Sequence, residues 1–471
     1  MGWRSRWSRP GPRMDVFIDQ DSPLGLTGQL YEEIRRAIVD GRVRPGDRLP
    51  PSRELATTLG VSRHTVTTAY EQLSAEGYLD GMAGGGTRVA DLTALGVLEV
   101  RPEPLAAAFA NRGPTPTFDL RPGTPDPRLF PTADWKRYAR RAIEQHEVAY
   151  GDPAGDAELR LVLARWIARS RGVDATFRQL IVTSGAQQAF YLLVRASVQP
   201  GDAVAVEDPG YHRFRQVVEA AGAVPAPVPV DEEGIVVDAI PAGTKVVYVT
   251  PSHQFPTGVT MSMRRRLELL SLARRRGMLI VEDDYDSELR YVDRPLEPLY
   301  RLDRGGLVAY VSSFSKSLSP GLRLGYVVVP PQLLADIVNL RQQVDWAPSH
   351  VGQLTLRGFI ADGQFDRHLR RIRRVYHRRH ELVASFLQDF AAERRMQVLA
   401  SNAGLHLAAR LGEALDEADI VNRLARRGVA VGGFATYAIQ PSSDAGIVIG
   451  FGSAGSERLG DALEIVAGVL G

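Results

Sequence analysis

Leu307-Val308-Ala309-Tyr310-Val311-Ser312-Ser313-Phe314-Ser315-Lys316 is an apolar, strand-like run that breaks into serines and ends on a lysine, with Arg323 seven positions on. The chain carries 57 basic side chains, yet only Lys136, Lys245 and Lys316 are lysine. A lysine kept where arginine is the rule points to chemistry that a guanidinium lacks. An amine can lose its proton and attack an aldehyde, whereas arginine stays protonated. The hydroxyls of Ser313 and Ser315 and the Arg323 guanidinium suit a phosphate. Amine and anion site together fit pyridoxal phosphate (PLP). Taken alone, the stretch reads equally well as a surface lysine in a serine-rich loop.

Working outward, strand-like runs at 180–183, 203–207, 245–250, 278–282, 307–311 and 326–329 alternate with helical patterns such as 264–276. That alternation predicts an α/β fold with a mostly parallel sheet covered by helices on both faces. Ligands then collect beyond the carboxyl ends of the strands. Three further groups sit just past such ends. Ser184-Gly185-Ala186-Gln187 precedes a helix expected over 188–198, whose first amides can cradle a phosphate; an ordinary strand-to-helix turn is the alternative. Asp208-Pro209-Gly210-Tyr211-His212-Arg213 offers Tyr211 to stack on a pyridine ring, or simply to pack a turn. Val281-Glu282-Asp283-Asp284-Tyr285 ends a buried strand in carboxylates, which is costly unless a cation is met. A protonated pyridine nitrogen facing Asp283 is such a cation, with the Tyr285 hydroxyl near the ring's phenolate oxygen; a strand-end helix cap is the plainer reading.

Composition sets the frame. With 471 residues, 44% of them hydrophobic, the chain can bury a large core and more than one domain. A net charge of +2 gives no global polyanion signal, so nucleic-acid contact has to come from a local patch. The absence of cysteine excludes disulfides and thiolate metal sites, and we expect no metal site and a cytoplasmic protein. No apolar run approaches membrane-spanning length, and the segment before Met14 lacks an export signal core, so either Met1 or Met14 can start the chain. The organisation expected is a DNA-binding domain at 16–90, an Ala/Pro-rich linker at 91–117 that leaves the head mobile, and a large domain at 118–471.

In the first of these, Leu30, Ile34, Ala37 and Ile38 form an apolar stripe at helical spacing. Ser52 is placed to cap a second helix and Gly60 to stop it. Ser62 caps a third, whose Val66, Ala69, Tyr70 and Leu73 face inward and whose start carries Arg63, His64 and Thr65. Two helices across a tight turn, followed by a glycine-rich hairpin around Gly84, give winged helix-turn-helix geometry. A small helical domain with a solvated polar face is the alternative.

These residues also carry a resemblance. Leu49-Pro50-Pro51-Ser52-Arg53-Glu54-Leu55-Ala56, Leu59-Gly60-Val61-Ser62-Arg63-His64-Thr65-Val66, Gly77-Tyr78 and Gly86-Thr87 resemble the GntR winged-helix signature. The resemblance implies contacts to a double-stranded operator from Arg53, Arg63, His64, Thr65 and the wing at Gly84. From Phe118 on, the chain resembles fold-type I aminotransferases, through Asp126–Pro131, Ser184–Ala189, Glu207–Tyr211, Thr250–Gly258 and Glu282–Tyr285. The pair together resembles the MocR, or GabR-type, subfamily, its PdxR-like members included. That implies Lys316 as Schiff-base lysine, Asp283 as pyridinium partner, Tyr285 on the phenolate oxygen and Tyr211 stacked. It also implies phosphate held by Ser313, Ser315, Arg323, Gly185, Ala186 and Gln187, an effector near Arg213, His253 and Gln254, and a homodimer. Two departures stand out. Phe255 fills the slot where aminotransferases usually place an asparagine, and Val448, in 447–451, stands where an arginine usually clamps an α-carboxylate, unless Arg410 or Arg423 substitutes.

The function expected is a transcription regulator that senses PLP or a PLP adduct of an amine or amino acid. An active aminotransferase with an accessory DNA-binding head is the alternative, and a cofactor-free dimerisation scaffold is a third. Arg367–Arg374 with Arg378-Arg379 reads as a solvated helix face before it reads as further phosphate contacts.

Overall fold

The computed structural model describes residues 3–5, 16–18, 24–82, 86–91, 115–145, 150–291, 297–392, 396–440 and 445–471. Two compact units divide the chain, Met1–Thr115 and Pro116–Gly471. No helix among the described residues is long and apolar enough to cross a membrane.

In the first unit a short antiparallel pair, β1 (Trp3–Ser5) and β2 (Val16–Ile18), precedes α1 (Leu26–Val39), α2 (Ser52–Leu59) and α3 (Arg63–Ala75). The hairpin β3 (Leu79–Met82) and β4 (Gly86–Val89) follows. The helical spacing decides which side chains go inward: Leu30, Ile34, Ala37 and Ile38 of α1 and Val66, Ala69, Tyr70 and Leu73 of α3 are all buried. They close one core with Leu49, Leu55, Leu79 and Val89. Gly60 ends α2 at φ 64°, a left-handed conformation that suits glycine. Ser62 caps α3 by accepting the Thr65 amide at 3.0 Å. Ser52 differs from expectation: it is the first helical residue, because Pro51, with φ −54°, takes the capping position. Gly84 and residues 92–114 of the expected linker lie outside the described residues.

The second unit begins with β5 (Phe118–Asp119), α4 (Thr132–Glu144) and α5 (Ala157–Arg171). Strand and helix then alternate: β6 (Leu180–Thr183), α6 (Ala186–Ser197), β7 (Ala203–Asp208), α7 (His212–Ala220), β8 (Val224–Asp231), β9 (Gly234–Ile235), β10 (Val246–Val249), α8 (Met263–Arg276), β11 (Leu279–Asp283), α9 (Leu299–Leu302), β12 (Val308–Ser313) and β13 (Gly325–Val328). One sheet holds them in the order β6-β13-β12-β11-β10-β7-β8-β9. Pairing is parallel from β12 across to β8, while β13 runs antiparallel to both of its neighbours. Every residue of β6, β10, β11, β12 and β13 is buried, which is why these strands read as continuous apolar runs. Along β10, Val246 and Tyr248 pack with Phe190 and Phe214 of α6 and α7, and Val247 and Val249 pack with Leu269 and Leu272 of α8. Helices therefore cover both faces.

The strand β8, Val-Pro-Ala-Pro-Val-Pro-Val-Asp, was not anticipated, since prolines argue against strands. Val224 donates its amide to Asp202, and Pro225, Pro227 and Pro229 fall at alternate positions, where a strand needs no donor toward β7. After β13 come α10 (Leu334–Val344), α11 (His350–Ala361), α12 (Gln364–Ala392), β14 (Met396–Leu399), β15 (His406–Leu411), α13 (Glu417–Arg426), β16 (Val429–Ala430), β17 (Gly432–Gly433), β18 (Gly446–Gly450) and α14 (Ser456–Leu470). These C-terminal strands form a smaller antiparallel sheet, β14-β15-β18-β17, while β16 pairs with β5.

Replacing Ser62 by Ala removes the cap of α3 and is expected to cost about 1 kcal/mol of first-unit stability in denaturant titrations of the full chain. An unchanged first transition would show that the cap contributes nothing.

Candidate functional site

The site grows from the ends of β11 and β12. Strand geometry carries Asp283 to the end of β11, where Tyr248 of β10 donates its hydroxyl to Oδ2 at 2.7 Å. The other oxygen, Oδ1, is buried with no hydrogen-bond partner among the described residues. Burial, above all, pushes this carboxyl up to about 7; the Tyr248 bond pulls it down, Asp284 and Asp286 push it up, and Lys316 pulls it down. A carboxyl with one oxygen fixed and the other unanswered is shaped to receive a donor, and a protonated ring nitrogen is one.

Lys316 follows β12. Part of its side chain remains accessible, while Nζ donates to the Gly123 carbonyl at 2.6 Å. Desolvation lowers its pKa, Asp286 and Asp283 raise it, and Arg213 lowers it. The net fall favours the neutral amine that attack on an aldehyde requires. Gly123 has φ +91°, and a Cβ there would sit 2.7 Å from Nζ. Only glycine leaves the lysine its place.

The residues expected to hold a phosphate lie around α6. Gly185, at φ 84°, caps that helix, which starts at Ala186 rather than at 188. Arg323, itself left-handed at φ 50°, donates Nη2 to the Ser184 carbonyl at 2.5 Å and lies over Gly185, where a Cβ would meet its guanidinium nitrogens at 3.1 Å. Gly325 of β13 passes within 3.0 Å of Gly185 Cα, measured from where a Cβ would stand. Cation and helix N-terminus thus converge on one spot. Ser313 is buried and Ser315 partly exposed, and neither hydroxyl has a hydrogen-bond partner among the described residues. Gln187 differs: its Nε2 is committed to the Arg213 carbonyl at 3.1 Å, and its Oε1 is buried without a partner.

Tyr211 remains half-buried, its hydroxyl pushed up to about 12, chiefly by burial. Its ring meets Phe255 edge-on at 5.8 Å, and Phe255 in turn meets Tyr285 at 6.3 Å and Tyr437 at 4.9 Å. Arg213 is exposed, with no side-chain partner among the described residues, and bears electrostatically on Tyr211 and Lys316.

Two expected effector ligands are otherwise engaged. Gln254 donates to Glu207, to the Pro209 carbonyl and to the Phe255 carbonyl, and its oxygen accepts from both the amide and the hydroxyl of Thr257. Its amide has nothing left to offer a ligand. His253 is buried between Asp286 (2.7 Å) and Tyr285 (2.9 Å) at Nδ1 and Ser401 (2.8 Å) at Nε2. It therefore positions Tyr285 rather than facing an effector. Gly123, Tyr248, Asp286 and Ser401 were not singled out from the sequence. Of these, Tyr248 alone has a signal in the sequence, a polar-tipped side chain inside an apolar strand, and Tyr310 and Tyr326 share it.

Val448 lies on β18 opposite Ala408 and Gly432 and is fully buried with Leu399, Phe434 and Tyr437, against which Phe255 packs. Arg423 pairs with Asp419 one helical turn away on α13, and Arg410 sits on β15 opposite Gly446. In the first unit, Arg53, Arg63 and His64 are exposed on α2 and at the start of α3, while the Thr65 hydroxyl is paired with Ser62 at 2.8 Å. Arg48 joins them at the wing, its guanidinium 2.9 Å from where a Gly86 Cβ would be.

Glu207, Glu282, Asp283 and Glu288 are each pushed up to about 7, chiefly by burial. The folded chain then holds protons that the unfolded chain has lost, so stability falls as pH rises from about 4 to about 7. The Tm of the cofactor-free protein is expected to drop between about pH 5 and about pH 8, and Asp283→Asn to shrink that drop. An equal drop in the variant would remove Asp283 from the titrating set.

Residues 26–89 match the family model for bacterial regulatory proteins of the gntR family, and residues 123–445 match that for aminotransferase class I and II. The probable rhizopine catabolism regulatory protein MocR of Rhizobium meliloti is 36% identical over 85% of this chain and 85% of its own length. The pyridoxine biosynthesis regulator PdxR of Corynebacterium glutamicum is 34% identical over 95% of this chain and 96% of its own. Among solved structures, a multiple substrate aminotransferase from Thermococcus profundus superposes with a TM-score of 0.70 at 28% identity, covering 76% of this chain and 92% of that one. The aminotransferase fold implies PLP as cofactor, and the unanswered Asp283 oxygen, the enclosed Lys316 amine and the Arg323-capped helix start fit that group. The gntR module implies DNA binding. The chain belongs to the MocR-type subfamily of gntR-family transcription regulators, which join a winged helix-turn-helix to a class I and II aminotransferase domain.

Proposed function

We propose that this regulator senses PLP, or an amine exchanged onto it, through Lys316, and passes that state to its DNA-binding module. The observation that carries the reading is the buried, unpartnered Oδ1 of Asp283 at the end of a strand that ends beside the lysine. When bound, PLP supplies an aldehyde that an amine can capture. Lys316 presents that amine, Asp283 orients and keeps the ring nitrogen protonated, and Tyr248 fixes Asp283. Tyr285, steadied by His253, serves the phenolate oxygen; Tyr211 covers the ring. Arg323, the amides from Gly185 to Gln187, Ser313 and Ser315 hold the phosphate, and Arg213 faces the effector.

Phe255 and Val448 favour sensing over turnover. Phe255 has no polar group for the phenolate oxygen, and Val448 provides no partner for an α-carboxylate. A charged clamp lost from a closed site forgoes about 1.5–3 kcal/mol of binding. The effector is therefore PLP itself or an amine that does without that clamp. The domain organisation supports a homodimer working in the cytoplasm, reading two half-sites with Arg53, Arg63, His64 and the wing around Gly84.

Full-length protein mixed with PLP is expected to show a visible band that Lys316→Ala lacks. With an operator fragment selected from random DNA, PLP is expected to change the native chain's affinity by roughly fivefold or more and to leave Lys316→Ala unmoved. Equal operator affinity with and without PLP in the native chain would overturn the sensing role. Steady keto-acid release from amino acids would favour the enzyme reading.

A further inference from the structure

A cavity of about 370 Å3 opens between the end of α5, the first turns of α12 and the segment that follows Tyr285. Five arginines line it, Arg169, Arg171, Arg290, Arg370 and Arg373, against two carboxyls, Asp366 and Glu288. Pairing accounts for part of that charge. Asp366 accepts Trp166 Nε1 on one oxygen and Arg169 Nη2 on the other, each at 2.9 Å. Arg171 is paired at 2.8 Å with Asp284, which lies outside the lining. Arg290, Arg370 and Arg373 have no ion-pair partner among the described residues. Arg373 does donate Nε to the Glu288 carbonyl.

Of the arginines left over, Arg290 and Arg373 are half-buried and Arg370 is exposed, while the paired Arg171 is buried behind them. Arg171 is 5% exposed, yet its Nη1 has no hydrogen-bond partner, and neither does the buried Nε of Arg290. Desolvation first, then the repulsion of Arg171, lowers the pKa of Arg290; Arg373 is also lowered chiefly by desolvation. Asp286 and Asp284 act in the opposite sense on Arg290, and Glu288 and Asp366 on Arg373. Of the two carboxyls in the lining, Glu288 keeps a buried Oε2 without a partner. Burial holds that carboxyl up to about 7, so near neutral pH it carries only part of a charge. Buried donors without acceptors, here Arg171 Nη1 and Arg290 Nε, cost free energy that an anion would recover. Planar forks converging on a small volume suit oxygens in a plane or a tetrahedron.

We infer that this cavity is a binding site for a small oxyanion, held by Arg171, Arg290, Arg370 and Arg373 and opposed by the Glu288 carboxylate. The site does not depend on the PLP reading. It is distinct from the phosphate position at α6, because none of its lining residues belongs to that set.

The test is calorimetric titration of the full chain with inorganic phosphate and, separately, with succinate, in an Arg323→Ala background that weakens the α6 phosphate position. Saturable binding near one ion per chain is expected, and the tighter probe tells a phosphate-bearing ligand from a dicarboxylate. Arg373→Gln is expected to weaken binding roughly tenfold or more, by loss of one charged bond. Glu288→Gln, nearly isosteric and so able to fold, is expected to tighten it several-fold. No saturable heat with either probe would overturn the site, as would an affinity that neither substitution moves.

Discussion

Three carboxyls in a row at the end of a buried strand set the terms for the second unit. Strand alternation sends neighbours to opposite faces, so Glu282, Asp283 and Asp284 cannot share one solution. Glu282 accepts the amides of Leu299 and Tyr300 at 2.8 Å and so anchors the start of α9. Asp284 is neutralised by Arg171 and bonded by Ser287 and Tyr310. Asp283, between them, receives only Tyr248. A buried carboxyl answered by a single hydroxyl is a standing cost. Asp284 also leaves Oδ1 without a partner, but it has the Arg171 guanidinium beside it, and Glu282 has two amides. The site's polarity is thus a consequence of which carboxyls the fold chose to satisfy.

That arrangement explains which parts were legible from the sequence. Strands buried on both sides have no polar face, so 180–183, 203–207, 245–250, 278–282 and 307–311 stand out as largely apolar runs and fall where the strands are. Residues just past those runs, Lys316, Asp283, Tyr211 and Gly185, were legible for the same reason, since strand ends are where polar groups reappear. Partners supplied by distant segments were not. Arg171 meets Asp284 across 113 residues, and Gly123 meets Lys316 across 193. Nothing in the local pattern of either residue announces the other.

Gln254 and His253 show a different limit. Both lie in a stretch rich in polar side chains and turns, which reads naturally as ligand-binding. Each is instead saturated by protein groups: Gln254 braces Glu207, Pro209 and Thr257, and His253 joins Asp286 to Ser401. A polar residue near a cleft can be a ligand only if its donors and acceptors remain unspent, and that accounting needs the fold. The same accounting identifies Asp283 Oδ1 and the arginine-lined cavity, where groups remain unspent.

Phe255 and Val448 belong to one apolar cluster with Phe434 and Tyr437, and that cluster abuts the rings of Tyr211 and Tyr285. An arginine introduced at Val448 would enter a fully buried apolar environment, a cost that only a carboxylate brought by a ligand would offset. An enzyme that cycles amino acids needs the carboxylate held through every turnover, because misplacing the reacting bond costs rate steeply. A sensor needs only that one bound state differ in free energy from another. On the proposed reading, the lysine, the fixed Asp283 and the expected phosphate position serve the second requirement, and the apolar wall around Phe255 and Val448 does not serve the first.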